Sequence, residues 1–301
     1  MTSTMARREP RNVPALLAQL RQSRFSGAVV VAGSPGGTLS PGGTLHLRDG
    51  LVSAVETPAA PTARSILLRS GRIAEDDWAT ALAAVPPGGS LAEVLVARGF
   101  VGAAELHMVC TAAIFDGALG MALSPAAEWR VDGSADAPEL AASPGEEPQR
   151  ITEETARRLA VLRELWGAVG EFARIPVVPV VRDGTRGLDA RRRALLAGVN
   201  GRRTPRDLAF ALGRGVFPVM LDLARLRAGR FVERDPRSAP RTPLLSARVG
   251  PGPPALAPAG APLPRRRPGR RPPPDPAGAD RAVPRGAPAR VISSSTEESA
   301  S

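Results

Sequence analysis

Gly37 to Thr44 reads G-x-x-x-x-G-G-T, one position away from the glycine-rich loop that cradles nucleotide phosphates. That chemistry needs a strand before the loop, a helix after it whose first amides face the phosphates, and a lysine that reaches them. Gly43 stands where the lysine belongs, the chain contains no lysine, and "TLHLRDGL" continues as strand and turn. The stretch reads instead as a tandem duplication, with "SPGGTL" at Ser34 to Leu39 and again at Ser40 to Leu45. Lengthening a loop between strands costs little, because closure entropy grows slowly with loop length.

The other reactive residue types are sparse. The only histidines are His46 and His107, and tyrosine is absent. His46 falls in a short strand without a second ligand beside it. His107 and Cys110 share a helical face at i, i+3, but zinc takes at least three protein donors. The apolar "MVCTAAIF" around Cys110 lacks the electropositive, accessible setting of an activated thiolate, so Cys110 reads as a small buried hydrophobe. Glu75, Asp76 and Asp77 fit the first turn of a helix, where the dipole favours acids. These residues predict a non-enzymatic chain with no cofactor and no metal. The lone cysteine excludes an intramolecular disulfide framework.

Arginine is where the chemistry concentrates. All 40 basic residues are arginine and the formal charge is +11. Between Arg191 and Arg230 lie 10 arginines and 2 acids, a stripe suited to phosphate because neutralising each phosphate releases counterions. Arg191, Arg192, Arg193, Arg202, Arg203, Arg206 and Arg214 are the candidate DNA-binding residues. Base reading is less favoured: a recognition helix carries polar groups near its N-terminus, whereas this one begins Val216-Phe217-Pro218-Val219.

The elements that must position these residues follow from pattern. "GAVVVAG", "TLHL" and "LVSAVE" read as an antiparallel meander, with Arg48-Asp49-Gly50 as hairpin chemistry. "ARSILLRSG", "EDDWATALAA", "SLAEVLVARG" and "AAELHMVCTAAIFDGALGMAL" have helical spacing and stop at Gly or Pro, and "EWRVD" reads as a returning strand. Ile66 to Leu82 matches Val94 to Cys110 at an offset of 28 residues. "SLAEVLVARGFV" resembles the helical modules of secretion ATPases that bind cyclic dinucleotides, but Ser90-Leu91-Ala92 replaces their Arg-Leu-Gly. Further on, "ITEETARRLAVLRELWGAV" reads as an amphipathic helix with Thr152 as N-cap, and "ARIPVVPVV" as extended chain with prolines that bar a central strand. Arg191 to Val199, a helix capped by Thr204 with Pro205 and Asp207 behind it, a helix from Val216 to Gly229 and a strand "FVER" complete the pattern.

Two folded regions, 10–132 and 149–234, are thus expected on either side of a linker at 133–148. A tail at 235–301 holds 16 of the 32 prolines with 11 arginines against 5 acids, too little apolar surface to offset its ordering entropy, so it is expected to be disordered. It reads either as a weak attractor of nucleic acid or acidic surfaces or as a solvated tail. The fold class is α+β: an antiparallel β meander with a helical array, then a mainly α region. No apolar run reaches the roughly 18 residues of a membrane span, and the amino terminus lacks the apolar segment of a secretory signal; a cytoplasmic protein without membrane insertion is expected.

The order "FSGAVVV", "TLHLRDGLVSAVE", helical array, "EWRV" resembles the PatA amino-terminal (PATAN) domain over residues 11–132, through Ser26-Gly27, the Gly50-Leu51-Val52 step and Ala54. The duplicated loop departs from that family's usual tight hairpin. The resemblance implies a bacterial signalling or interaction module, found in regulatory chains and near small Ras-like GTPases and their roadblock partners, with no catalysis. From Ala190 to Arg234 the order helix, turn, helix, helix, strand resembles a degenerate winged helix of bacterial transcriptional regulators. Together they imply a non-enzymatic regulator with a signalling-protein partner and DNA contact; the alternative is a protein-protein adaptor that binds no DNA.

Overall fold

A computed structural model describes residues 13–33, 42–123, 126–167, 169, 174–180 and 187–234. Most of the duplicated loop and the whole tail at 235–301 lie outside these residues. The described chain is mixed α+β.

The hairpin signal organises the sheet. Asp49 and Gly50 both have positive φ, 52° and 78°, the twist that joins adjacent antiparallel strands tightly. Gly50 also has a steric reason, since a Cβ there would lie 2.8 Å from Arg21 Cα and O. Around this turn, β1 (Gly27–Gly33), β2 (Gly43–Arg48) and β3 (Leu51–Glu56) form the meander, and β4 (Ala126–Asp132) returns antiparallel to β1, in the order β3-β2-β1-β4. Val29, Val31, Leu45, Leu47, Val52 and Val55 enter the first core. A register shift between His46 and Leu47 lets β3 bury consecutive residues without losing its pairing with β2.

Helices α1 (Val13–Gln22), α2 (Ala63–Arg69), α3 (Glu75–Ala83), α4 (Leu91–Ala97) and α5 (Ala103–Ala122) complete the first region. The repeat is real in space: α2 and α4 begin 28 residues apart, as do α3 and α5. Leu67 and Leu95 are both fully buried, and so nearly are Ile73 and Val101. Gly71 and Gly99 both turn the chain at positive φ with open space around them, so backbone conformation, not crowding, selects glycine there.

The stretch 133–148, expected as a linker, is ordered along the sheet. Val52 N–H donates to Glu146 O at 2.9 Å, Glu146 N–H returns a bond to Val52 O at 2.8 Å, and Ala142 N–H donates to Ser53 O at 2.8 Å. Leu140, Ala142 and Glu146 are buried. The composition that reads as a spacer serves a different purpose: β3 is an edge strand, and small residues let a second chain segment approach and cover its open hydrogen bonds. A Cβ at Gly145 would come within 2.7 Å of Val52 O.

Helix α6 (Pro148–Trp166) starts earlier than its sequence cap suggests. Its N-cap is Glu147, Pro148 occupies the first turn, and Thr152 lies inside the helix with its hydroxyl donating to Pro148 O at 3.0 Å. Proline is favoured at that position because its missing N–H has no helical partner anyway. Then β5 (Val177–Pro179), α7 (Ala190–Gly198), α8 (Pro205–Ala211), α9 (Val216–Ala228) and β6 (Val232–Arg234) follow, β6 pairing antiparallel with β5. Thr204 and Asp207 form the expected capping box on α8.

The second core gathers Leu162, Trp166, Leu195, Leu208, Val219, Met220, Leu223, Leu226 and Val232. It also takes Ala60 and Leu119 from the first region. All described residues belong to one compact unit, with α5 feeding both cores: Ile114 the first and Leu119 the second.

Candidate nucleic-acid interface

The seven arginines proposed from sequence divide into two groups. Helix α7 begins at Asp189, whose carboxylate accepts from Arg192 N–H at 2.7 Å, and the following turn is held by Asn200 Oδ1, which accepts from Arg202 and Arg203 N–H at 3.0 Å each. These devices present Arg193, Arg202, Arg203 and Arg206 to solvent. Arg203 donates to Gly198 O at 3.2 Å. Arg193, Arg202 and Arg206 have no side-chain hydrogen bond or ion pair among the described residues.

Arg192 and Arg214 turn inward on a different task, and Arg191, itself exposed, reaches the same acid. They surround Asp222 of α9, which is 3% exposed. Arg191 Nε donates to Asp222 Oδ2 at 2.9 Å, Arg214 donates to the same oxygen, and Arg192 Nε stands 3.8 Å from Oδ1. A fourth guanidinium, that of Arg225, donates to Oδ1 at 3.3 Å. Burial pushes the Asp222 carboxyl up, but the hydrogen bond from Arg214 and the charges of Arg191 and Arg214 outweigh it and hold the carboxyl below its ordinary value. The fold makes it the acceptor around which arginines from α7, the α8–α9 turn and α9 converge.

Base reading by α9 meets an obstacle at its N-terminus. Gly215 is the N-cap and makes no side-chain cap; the cap comes from α5. Asp116, 3% exposed, accepts from Phe217 N–H at 3.3 Å and from the Val216 amide. Arg158 of α6 donates to the same carboxylate at 3.1 Å, with its guanidinium 5.4 Å from the Phe115 ring centre and 4.8 Å from that of Phe217. Burial raises the Asp116 carboxyl to about 6, against the pull of Arg158 and the two amides. Glu154 accepts from Arg157 and Arg158 and is lowered to about 2, chiefly by the Arg157 hydrogen bond. The N-terminal end of α9 is therefore seated on α5 and α6. A Cβ at Gly215 would overlap Asp116 Oδ2, so only glycine admits this seat.

His46 is buried in β2 with Nε2 3.4 Å from Glu56 Oε2. Cys110 is buried in α5, and burial raises its thiol to about 11, a setting that disfavours thiolate. His107 is on the same helix, its Nδ1 buried without a protein partner. Glu75, Asp76 and Asp77 occupy the first turn of α3. Among the described residues no three His, Cys, Asp or Glu side chains converge as a metal site, and no helix is long and apolar enough to cross a membrane.

Two residues that shape this region have no role in the sequence pattern. Asp116 sits in an apolar helical run, where its oddness was the available signal, and Arg225 lies three residues after Asp222, the spacing of an intrahelical ion pair. The chain matches no protein-family model, and neither a curated protein nor a solved structure is significantly similar to it.

Proposed function

We propose that this chain is a non-enzymatic regulator in which a PATAN-like interaction region is joined to a winged-helix-like region that contacts the DNA backbone. The observation that carries the reading is the set Arg193, Arg202, Arg203 and Arg206, exposed on α7, the following turn and α8. Guanidinium forks suit phosphate oxygens, and these four are exposed and free to meet them. Contact is with phosphates and not base edges, because the N-terminus of α9 is occupied by Asp116 and Phe217 packs beside Arg158. The chain therefore contributes affinity and position on DNA, and a signalling protein bound elsewhere contributes specificity.

The same occupancy of α9 favours a second reading, that of an adaptor in a small-GTPase type signalling complex with no DNA contact. Fluorescence anisotropy with a duplex at two salt concentrations separates the two, using the full chain and a chain ending at Arg234. The DNA reading expects the shorter chain to retain steep salt dependence, with a slope of about 0.9 per phosphate neutralised, and to lose affinity on charge reversal at Arg202 and Arg203. Binding confined to the full chain would leave the adaptor reading.

A further inference from the structure

The arginines around Asp222 outnumber what that carboxylate needs. Elsewhere in the molecule, buried Asp116 is served by one guanidinium and two backbone amides. Asp222 has the guanidiniums of Arg191, Arg192, Arg214 and Arg225 within 4 Å. Among the described residues the only other acid paired with them is Asp189, 3.7 Å from Arg192 Nη1. Four cations against these two carboxylates leave a surplus of two positive charges among the described residues of the cluster.

The hydrogen-bond count points the same way. Asp222 offers about four lone-pair positions, whereas each guanidinium brings five N–H donors. Arg192 Nε and Arg214 Nη1 are shielded and have no acceptor. A buried donor left unmade is costly, more so on a charged group. Arg191 and Arg225, by contrast, have side chains 56% and 61% exposed, so the cluster is open on that side.

We propose that Arg191, Arg192, Arg214 and Arg225 form a binding site for a phosphate group, with Asp222 as the internal strut that spaces and orients the forks. A tetrahedral oxyanion supplies several acceptors to donors arriving from α7, the α8–α9 turn and α9, and bidentate guanidinium contacts favour phosphate over a spherical anion. Arg191 and Arg225 meet the ligand at the open side. Arg192 and Arg214, tied to Asp189 and Asp222, form the floor. The site is independent of the backbone-contact reading of Arg193, Arg202, Arg203 and Arg206 and stands if that reading fails.

The test uses the full chain, because the tail's arginines are then constant across variants. Inorganic phosphate is titrated at fixed ionic strength, balanced with chloride, by isothermal calorimetry and by the arginine Nε–H resonances. The expected result is saturable binding that the double variant Arg191→Gln, Arg225→Gln weakens roughly tenfold or more, while Arg48→Gln, Arg98→Gln, at two exposed arginines of the first region, leaves it unchanged. Both pairs are largely exposed, so circular dichroism and a urea midpoint check that the fold is kept. No saturable binding, or equal binding in the two variants, overturns the site. A duplex competition arm identifies the source: displacement of phosphate by duplex assigns the site to a phosphodiester backbone, and undisturbed phosphate binding assigns it to a free phosphate group.

Discussion

Asp116 and Asp222 are buried to the same 3% exposure, yet they are held in opposite ways. Asp116 joins α5 to the start of α9 with one arginine and two amides, and burial wins: its carboxyl rises to about 6. Asp222 lies one and a half turns further along α9 among several arginines, and their bonds and charges win: its carboxyl falls below the ordinary value. Depth alone does not decide the state of a buried acid; the number and aim of its donors do. The first carboxylate seats a helix end and needs only modest compensation. The second is surrounded by more cation than one charge requires, which makes its neighbourhood suited to a further anion.

The largest effect that would test this contrast is on stability. Replacing Asp222 by Ala leaves a knot of guanidiniums without its acceptor and is expected to cost about 3–5 kcal/mol. Asp116→Asn keeps an oxygen for the amides of α9 and removes a charge that burial already disfavours, so its expected cost is about 1 kcal/mol. Urea unfolding of the two variants measures both, and equal costs would erase the distinction.

Gly215→Ala comes next, with an expected loss of about 3 kcal/mol because the new methyl overlaps the Asp116 carboxylate. If that overlap is the cause, the penalty shrinks by at least about 1 kcal/mol in an Asp116→Ala background. A penalty that is the same in both backgrounds would mean that glycine is needed for another reason.

A further effect is on pH dependence, and the two acids push in opposite directions. Between about pH 4 and 6 the folded chain keeps a proton on Asp116 that the unfolded chain releases, so this residue makes stability fall as pH rises, by roughly 2 kcal/mol across the window. Asp222, being lowered, contributes stability that is present above the ordinary carboxylate range and disappears as pH falls through its depressed value. Stability curves of wild type and Asp116→Asn should therefore diverge between pH 4 and 6. Superimposable curves would show that Asp116 ionises like an exposed acid.

Much of the fold was legible because its signals are local. Asp49-Gly50 specifies its turn through backbone conformation, Thr204 and Asp207 cap α8 across three residues, and α2 to α5 follow an apolar period, with Gly71 and Gly99 turning the chain after α2 and α4. The failures share one cause. Thr152 has the right chemistry for a cap, but Glu147 and Pro148 take the helix start once the preceding stretch is fastened to β3. That stretch looked like a spacer because its residues are small, and the same smallness lets it lie against an edge strand. The candidate site was half legible: all seven arginines are in the basic region as read, but sequence could not separate the four without a carboxylate partner among the described residues from the three that approach Asp222.

The sequence by itself determined the α+β class, the order of strands and helices after α1, the repeat of helical pairs and the arginine-rich character of the second half. Hydrophobic period, turn chemistry and net charge act over a few residues and need no partner to be read. Tertiary structure decided which core each residue of α5 serves, what covers β3, what caps α9 and which arginines are spoken for. Those outcomes depend on groups as far apart in the chain as Asp116 and Phe217, or Arg191 and Asp222, and a carboxylate acquires its partners, its charge preference and its role only when folding brings such groups within hydrogen-bonding distance.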